Sequence, residues 1–138
     1  MWLTEEDYSL VIGNTALTIT QQSDQSNRDR AERAAIEEIS GYLRPKYDVD
    51  SIFAAVGEDR NRQIMMYCAD IALYHLSTWL PGKMGIETRE KRYDRAIAWL
   101  KDVQKGITTP DIPLAIAASG ETIGGSSFGS MEKNDYTW

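Results

Sequence analysis

Gln63-Ile64-Met65-Met66-Tyr67-Cys68-Ala69-Asp70-Ile71-Ala72-Leu73-Tyr74-His75-Leu76 is apolar almost all round when wound as a helix. With its flanks it predicts a helix from near Asp59 to Leu80, stopped by Pro81-Gly82. One face carries Ile64, Met65, Cys68, Ile71, Ala72, His75, Leu76 and Trp79. The other carries Gln63, Tyr67, Asp70, Tyr74, Ser77 and Thr78, a half-polar stripe whose hydroxyls need partners wherever they are buried. About twenty residues at 1.5 Å each make a rod of roughly 30 Å, the diameter of a small domain. Such a helix belongs at the centre of the fold, or at the centre of one molecule and the edge of its neighbour.

Three further helices can be laid against this rod. Thr4 followed by Glu5, Glu6 and Asp7 is a capped, acid-rich start for a short helix over about 5–12 that ends at Gly13-Asn14. Ala16 to Thr20 alternates as a brief extended piece, and 21–27 reads as a polar loop. Asp24 or Ser26 caps a second helix to about Leu43, with Ala31, Ala35, Ile36, Ile39 and Tyr42/Leu43 at helical spacing and Arg44-Pro45 ending it. Tyr47 to Phe53 reads as extended or irregular. After a loop containing Gly85, Thr88 caps a helix over about 89–105 that turns Tyr93, Ala96, Ile97, Leu100 and Val103 inward and closes at Gly106. The expected core is Ile39, Leu43, Ile64, Cys68, Ile71, Ala72, Leu76, Trp79, Ile97 and Leu100, a seam between the second and third helices sealed by the fourth. The fold class is all-α: a compact bundle of about four helices in residues 1–106, then an extended Gly/Ser-rich tail over 107–138.

The 138-residue chain is one domain's worth of material, with 42% apolar residues and a net charge of −6. Its start lacks the basic and apolar regions of a secretory signal. Asp70 and His75 interrupt the longest apolar run before it reaches the roughly 18 residues of a membrane span. The charge is uneven. Residues 1–24 are purely acidic, 60–106 hold nine Lys/Arg against five Asp/Glu, and 107–138 carry −3. This polarity suits contacts between complementary patches better than reading of DNA, which favours a basic domain.

Catalytic and metal-binding patterns are missing. Any Ser-His-Asp or Cys-His site has to be built on the single histidine, His75, which falls on the apolar face and reads as a core residue. The single cysteine, Cys68, reads as a small buried side chain rather than a reactive thiol. There is no zinc spacing and no phosphate-cradling glycine motif, and the adjacent Glu37 and Glu38 point apart. Catalytic, cofactor-binding and metal-ligating residues are therefore all expected to be none, and the protein is not expected to be an enzyme. Arg89, Lys91, Arg92 and Arg95 form one basic cluster, interleaved with Glu90 and Asp94 as on a self-paired, solvated helix face.

Several segments in order carry a resemblance: Leu3-Thr4-Glu5-Glu6-Asp7, Ala34 through Gly41-Tyr42-Leu43, Tyr47, Cys68 through Leu76, and Arg92-Tyr93-Asp94-Arg95-Ala96-Ile97-Ala98-Trp99-Leu100. Over about residues 3–106 the chain resembles small head–tail connector proteins of tailed bacteriophages, most of all the Mu-like prophage family in that group. The resemblance implies a structural subunit of a ring between the portal and the tail or neck proteins, whose bore passes DNA without sequence-specific contacts. It implies no cofactor and no membrane, and a path from the host cytoplasm during assembly to the virion neck. The alternative is a small helical nucleic-acid-binding or regulatory domain of a prophage. The chain departs from the family pattern in its long glycine-rich tail. Ile112, Leu114, Ile116, Ile123, Phe128, Met131, Tyr136 and Trp138 give that tail more apolar material than a solubilising end needs. It is expected to dock on a neighbouring subunit or the portal as assembly proceeds.

Overall fold

The computed structural model describes residues 2–12, 24–79 and 86–115. Among these residues five α-helices follow in order: α1 (Glu5–Ile12), α2 (Gln25–Leu43), α3 (Val49–Ala54), α4 (Arg62–Trp79) and α5 (Ile86–Lys105), with a 3₁₀ turn at Gly57–Asp59 between α3 and α4. The all-α bundle is present, with α4 as the central rod packed against α2, α5 and α1. The expected extended piece at 16–20 and the stops at Gly13-Asn14 and Pro81-Gly82 lie outside the described residues.

Local chemistry sets the helix ends. Thr4 and Asp7 form a reciprocal cap on α1: the Asp7 amide donates to Thr4 Oγ1 at 3.1 Å and the Thr4 amide to Asp7 Oδ2 at 2.7 Å. Asp24 caps α2 by accepting from the Asn27 amide at 2.8 Å. Asn61 does the same for α4, taking the Ile64 amide at 3.0 Å, so the rod begins at Arg62 rather than Asp59. At the far end of α5, Gly106 adopts φ 83°. Its amide returns to the Val103 carbonyl and that of Ile107 to Asp102, the paired closure that a left-handed residue permits.

Two local expectations are corrected. Tyr47 to Phe53 is not extended throughout: Val49–Ala54 is helical, capped by Asp48, which accepts from the Ser51 amide and hydroxyl at 3.3 and 2.7 Å. The β-branched Val49 and Ile52 suggest a strand, but they stand three apart and both are buried, so a helical turn serves them. The last helix starts at Ile86, with Thr88 exposed inside its first turn rather than capping it.

Of the ten expected core residues, Ile39, Leu43, Ile64, Cys68, Ile71, Ala72, Leu76 and Leu100 are buried. Ile97 is partly buried against the core. Trp79 is 45% exposed: it is the last residue of α4, with His75 beside it and Arg30 of α2 over one side of its ring. Leu3, Tyr8, Tyr47, Val49 and Ile52 join the core from the segments around the bundle.

The chain beyond α5 returns to the body. Asp48 donates its amide to the Pro113 carbonyl at 2.9 Å, Ala115 donates to Lys46 at 3.0 Å, and Tyr47 and Leu114 form an isolated antiparallel bridge. Asn61 Nδ2 reaches the Asp111 carbonyl at 3.2 Å, Pro110 is buried, and Ile112 packs on the core. Residues 107–115 thus form a strap across the α2–α3 corner. A truncation meant to leave that strap intact has to start at Ile116. The tail expected to dock on a neighbour runs from about Pro110 to Trp138; its first part, with Ile112 and Leu114, packs on this chain's own body instead, and 116–138 lie outside the described residues.

Candidate interaction surfaces

Three polar clusters join the helices, and each uses side chains that the one-dimensional pattern placed elsewhere. The first joins α2, α4 and α5. His75 Nε2 lies 2.8 Å from Glu38 Oε1, and the Tyr93 hydroxyl donates to Glu38 Oε2 at 2.7 Å. Tyr93 stacks on Tyr74 with ring centres 4.4 Å apart, and its phenol is pushed above its ordinary range by burial and by the Glu38 carboxylate. His75, expected as a core residue, is half-buried, and its partner is a carboxylate on a neighbouring helix. Glu38 lies on the flank of α2 that α4 and α5 share.

The geometry of this cluster gives a testable role. His75→Gln is expected to lower stability by about 1 kcal/mol, the scale of one net hydrogen bond, because Tyr93 still satisfies one oxygen of Glu38. Any assembly activity should persist. Thermal melting run beside a binding assay checks this, and activity lost at an unchanged melting temperature contradicts a structural role.

The second cluster occupies the half-polar stripe of α4. Asp70, 1% exposed, accepts from Arg92 Nε at 2.7 Å. Burial raises the Asp70 carboxyl despite the hydrogen bond and charge of Arg92 and the charges of Arg89 and Arg95. Arg89 is itself buried, and both burial and the Arg92 charge lower its pKa. Tyr67 stacks near Trp99 at 4.9 Å further along the same seam. The basic cluster is therefore split: Arg89 and Arg92 turn to Asp70, while Lys91 and Arg95 are exposed.

The third cluster ties the N-terminal segment to the start of α4. Arg60 forks onto Asp7, with Nη2 3.1 Å from Oδ1 and Nη1 on Oδ2, and also donates to the carbonyls of Trp2 and Gly57 at 2.9 Å. Burial raises the Asp7 carboxyl, but the hydrogen bonds from Arg60 and Thr4 and the Arg60 charge outweigh it and hold the group below its ordinary value. Glu32, buried on α2, accepts the amides of Trp2 at 2.7 Å and Leu3 at 3.3 Å. Trp2 then packs edge-on against Phe53 at 5.0 Å and lies under the Arg60 guanidinium. Neither Arg60 nor Glu32 stood out in the sequence. The available signal was weak: a tryptophan and a leucine beside an acidic terminus, which need a partner surface somewhere.

Beside this third cluster an open cleft of about 390 Å³ is lined by Trp2, Thr4, Phe53, Ala55, Val56, Gly57 and Arg60. A second groove of about 260 Å³ shares Arg60 with it and brings in Glu6, Glu58 and Arg62. Val56 is 73% exposed. At the other end of α4, Trp79 stacks on His75, and Arg30 of α2 sits 6.0 Å over its ring.

Among the described residues no group of three His, Cys, Asp or Glu side chains is arranged to hold a metal, and no helix is long and apolar enough to cross a membrane. Cys68 is fully buried, and its thiol is raised well above the ordinary value by burial and by the Glu32 charge. A comparison with protein families matches residues 3–126 to the family described as Bacteriophage Mu, Gp36. No curated protein and no solved structure matches the chain.

Proposed function

We propose that this chain, which belongs to the bacteriophage Mu Gp36 family, is a structural head–tail connector subunit that forms a ring between the portal and the tail. Membership of that phage family is the observation that carries the reading. The match runs from Leu3 through the strap and into the tail, so the whole helical body is a phage protein part.

The physical character of the body supports a connector. A ring of identical subunits needs a heterologous contact, in which one patch meets a different patch on the next copy and the rotation closes. Exposed Glu5, Glu6, Glu58 and Asp59 gather around the N-terminal segment and the start of α4, whereas Lys91, Arg95, Lys101 and Lys105 are exposed along α5. A net charge of −6 keeps a DNA passage from holding phosphates. The alternative, a nucleic-acid-binding or regulatory domain, is disfavoured by Arg89 and Arg92, whose charge is turned toward Asp70. In this reading the chain is not an enzyme, acts without a cofactor, and ends in the virion neck.

The test is reconstitution. The purified chain mixed with the portal protein of the same phage should form a stoichiometric ring on one end of the portal, visible by electron microscopy. Failure to bind portal or any tail-side protein, or binding as isolated copies without a ring, overturns the proposal.

A further inference from the structure

We propose that Trp79 and Arg30 of one copy seat in the cleft between Trp2, Phe53 and Val56 of the next copy, and that this is the heterologous contact of the assembly. The inference rests on the connector reading and names the partner of the cleft as a second copy of this chain.

Position is the first argument. The cleft adjoins Arg60, two residues before α4 begins, and Trp79 is the last residue of α4. Eighteen helical residues at 1.5 Å each separate the two by about 27 Å. A tryptophan at one end of a straight rod cannot fill a cleft at the other end of the same rod. Across two molecules the pair is head-to-tail, the arrangement that closes into rings when each step adds a fixed rotation.

Chemistry is the second. The cleft presents apolar surface from Trp2, Phe53 and the exposed Val56; its one charged lining residue, Arg60, is paired with Asp7, and the adjoining groove adds Glu6, Glu58 and Arg62. Its opposite number is an indole with 45% of its surface in solvent and a guanidinium poised over the ring. Trp and Arg are the side chains that most often dominate protein interfaces, above all when they enter a pocket rimmed by complementary charge. The cleft volume of about 390 Å³ admits an indole with room for the Arg30 head at the rim.

Charge also selects against the other occupant within the chain. Residues 116–138 carry Glu121, Glu132 and Asp135 against Lys133 alone. An acidic segment is repelled by Glu6 and Glu58, whereas Arg30 is attracted by them.

Sedimentation velocity on the full chain tests this with two surface variants, Trp79→Ala and Val56→Asp, whose exposure lets circular dichroism confirm an unchanged fold. Wild type should grow with concentration, and each variant alone should lose at least about tenfold in self-association, as removal of an interface anchor does. Mixed in equal amounts, the two variants should form a one-to-one dimer that grows no further, because one copy keeps the knob and the other keeps the cleft. Self-association that ignores Trp79→Ala, a mixture that stays monomeric, or a wild-type chain that stays monomeric at every concentration overturns the inference. Loss with Val56→Asp but not with Trp79→Ala gives the cleft a different occupant and overturns it too. The portal reconstitution judges the ring separately, so a ring that assembles with Trp79→Ala refutes this contact and leaves the connector standing.

Discussion

Leu76→Ala should lower the free energy of unfolding by about 2–5 kcal/mol, one of the two strongest effects expected in this protein. Leu76 is 1% exposed on α4, the helix that packs against α2, α5 and α1 alike. Truncation there removes buried methyl groups and leaves a cavity in a core whose side chains are fully buried and have little slack to collapse. Domains of this size carry about 5–15 kcal/mol in total, so the variant should unfold well below the wild-type midpoint in a urea titration followed by circular dichroism. Trp79→Ala is the control with the opposite expectation. Read from the sequence alone, Trp79 is a core residue and its loss should be at least as costly. With nearly half its surface in solvent it should cost less than the roughly 3–5 kcal/mol of a fully buried tryptophan, since close to half of its transfer free energy was never gained. Equal losses at the two positions would contradict the packing described for the end of α4.

Arg60→Ala should cost about 3–5 kcal/mol, the usual penalty when one partner of a buried ion pair is removed. The side chains of Arg60 and Asp7 are only 11% and 8% exposed. Without the guanidinium, the Asp7 carboxylate keeps its cap on Thr4 but faces the interior with its charge uncompensated. The carbonyls of Trp2 and Gly57 lose a donor, and the Trp2 ring loses the cation above it. The pH dependence has a definite sign. Asp7 is held below its ordinary value in the folded protein, so the pair stabilises the fold fully above the ordinary aspartate value of about 3.9. That contribution drains away as the pH falls through the depressed value, where the folded carboxyl takes up its proton. The gap in stability between wild type and Arg60→Ala should therefore be widest near neutrality and shrink in acid. A gap that persists unchanged down to strongly acidic pH would mean that Arg60 acts through packing on Trp2 rather than through Asp7.

These two positions differ in how visible they were beforehand. Leu76 was legible because helical periodicity is a property of the chain itself: apolar residues at spacings of three and four mark a buried stripe whatever covers it. The same held for Asp24 as a cap, for Gly106 as a stop, and for Cys68 and Ile71 as interior residues, because caps and stripes are satisfied within a few residues of sequence. Val49–Ala54 was misread as extended because a single turn offers too short a window for period to separate helix from strand, and β-branched residues tilt the reading toward strand.

By itself the sequence determined that the protein is an all-α bundle around one long helix, that its acids and bases are segregated, and that its ordered segments resemble a phage family. All of these follow from local spacing, composition and segment order. Only the tertiary structure decided that Glu38 meets His75 and Tyr93, that Arg60 holds Asp7 and Trp2, that Glu32 takes the amides of the N-terminal segment, and that 107–115 straps back across Lys46 and Asp48. These pairings join residues tens of positions apart, and nothing in a linear pattern says which flank of one helix another will cover. The cleft beside Val56 and the exposed Trp79 belong to the same category. An apolar residue looks the same in sequence whether the fold buries it or leaves it facing out, and that difference is made by where the neighbouring helices end.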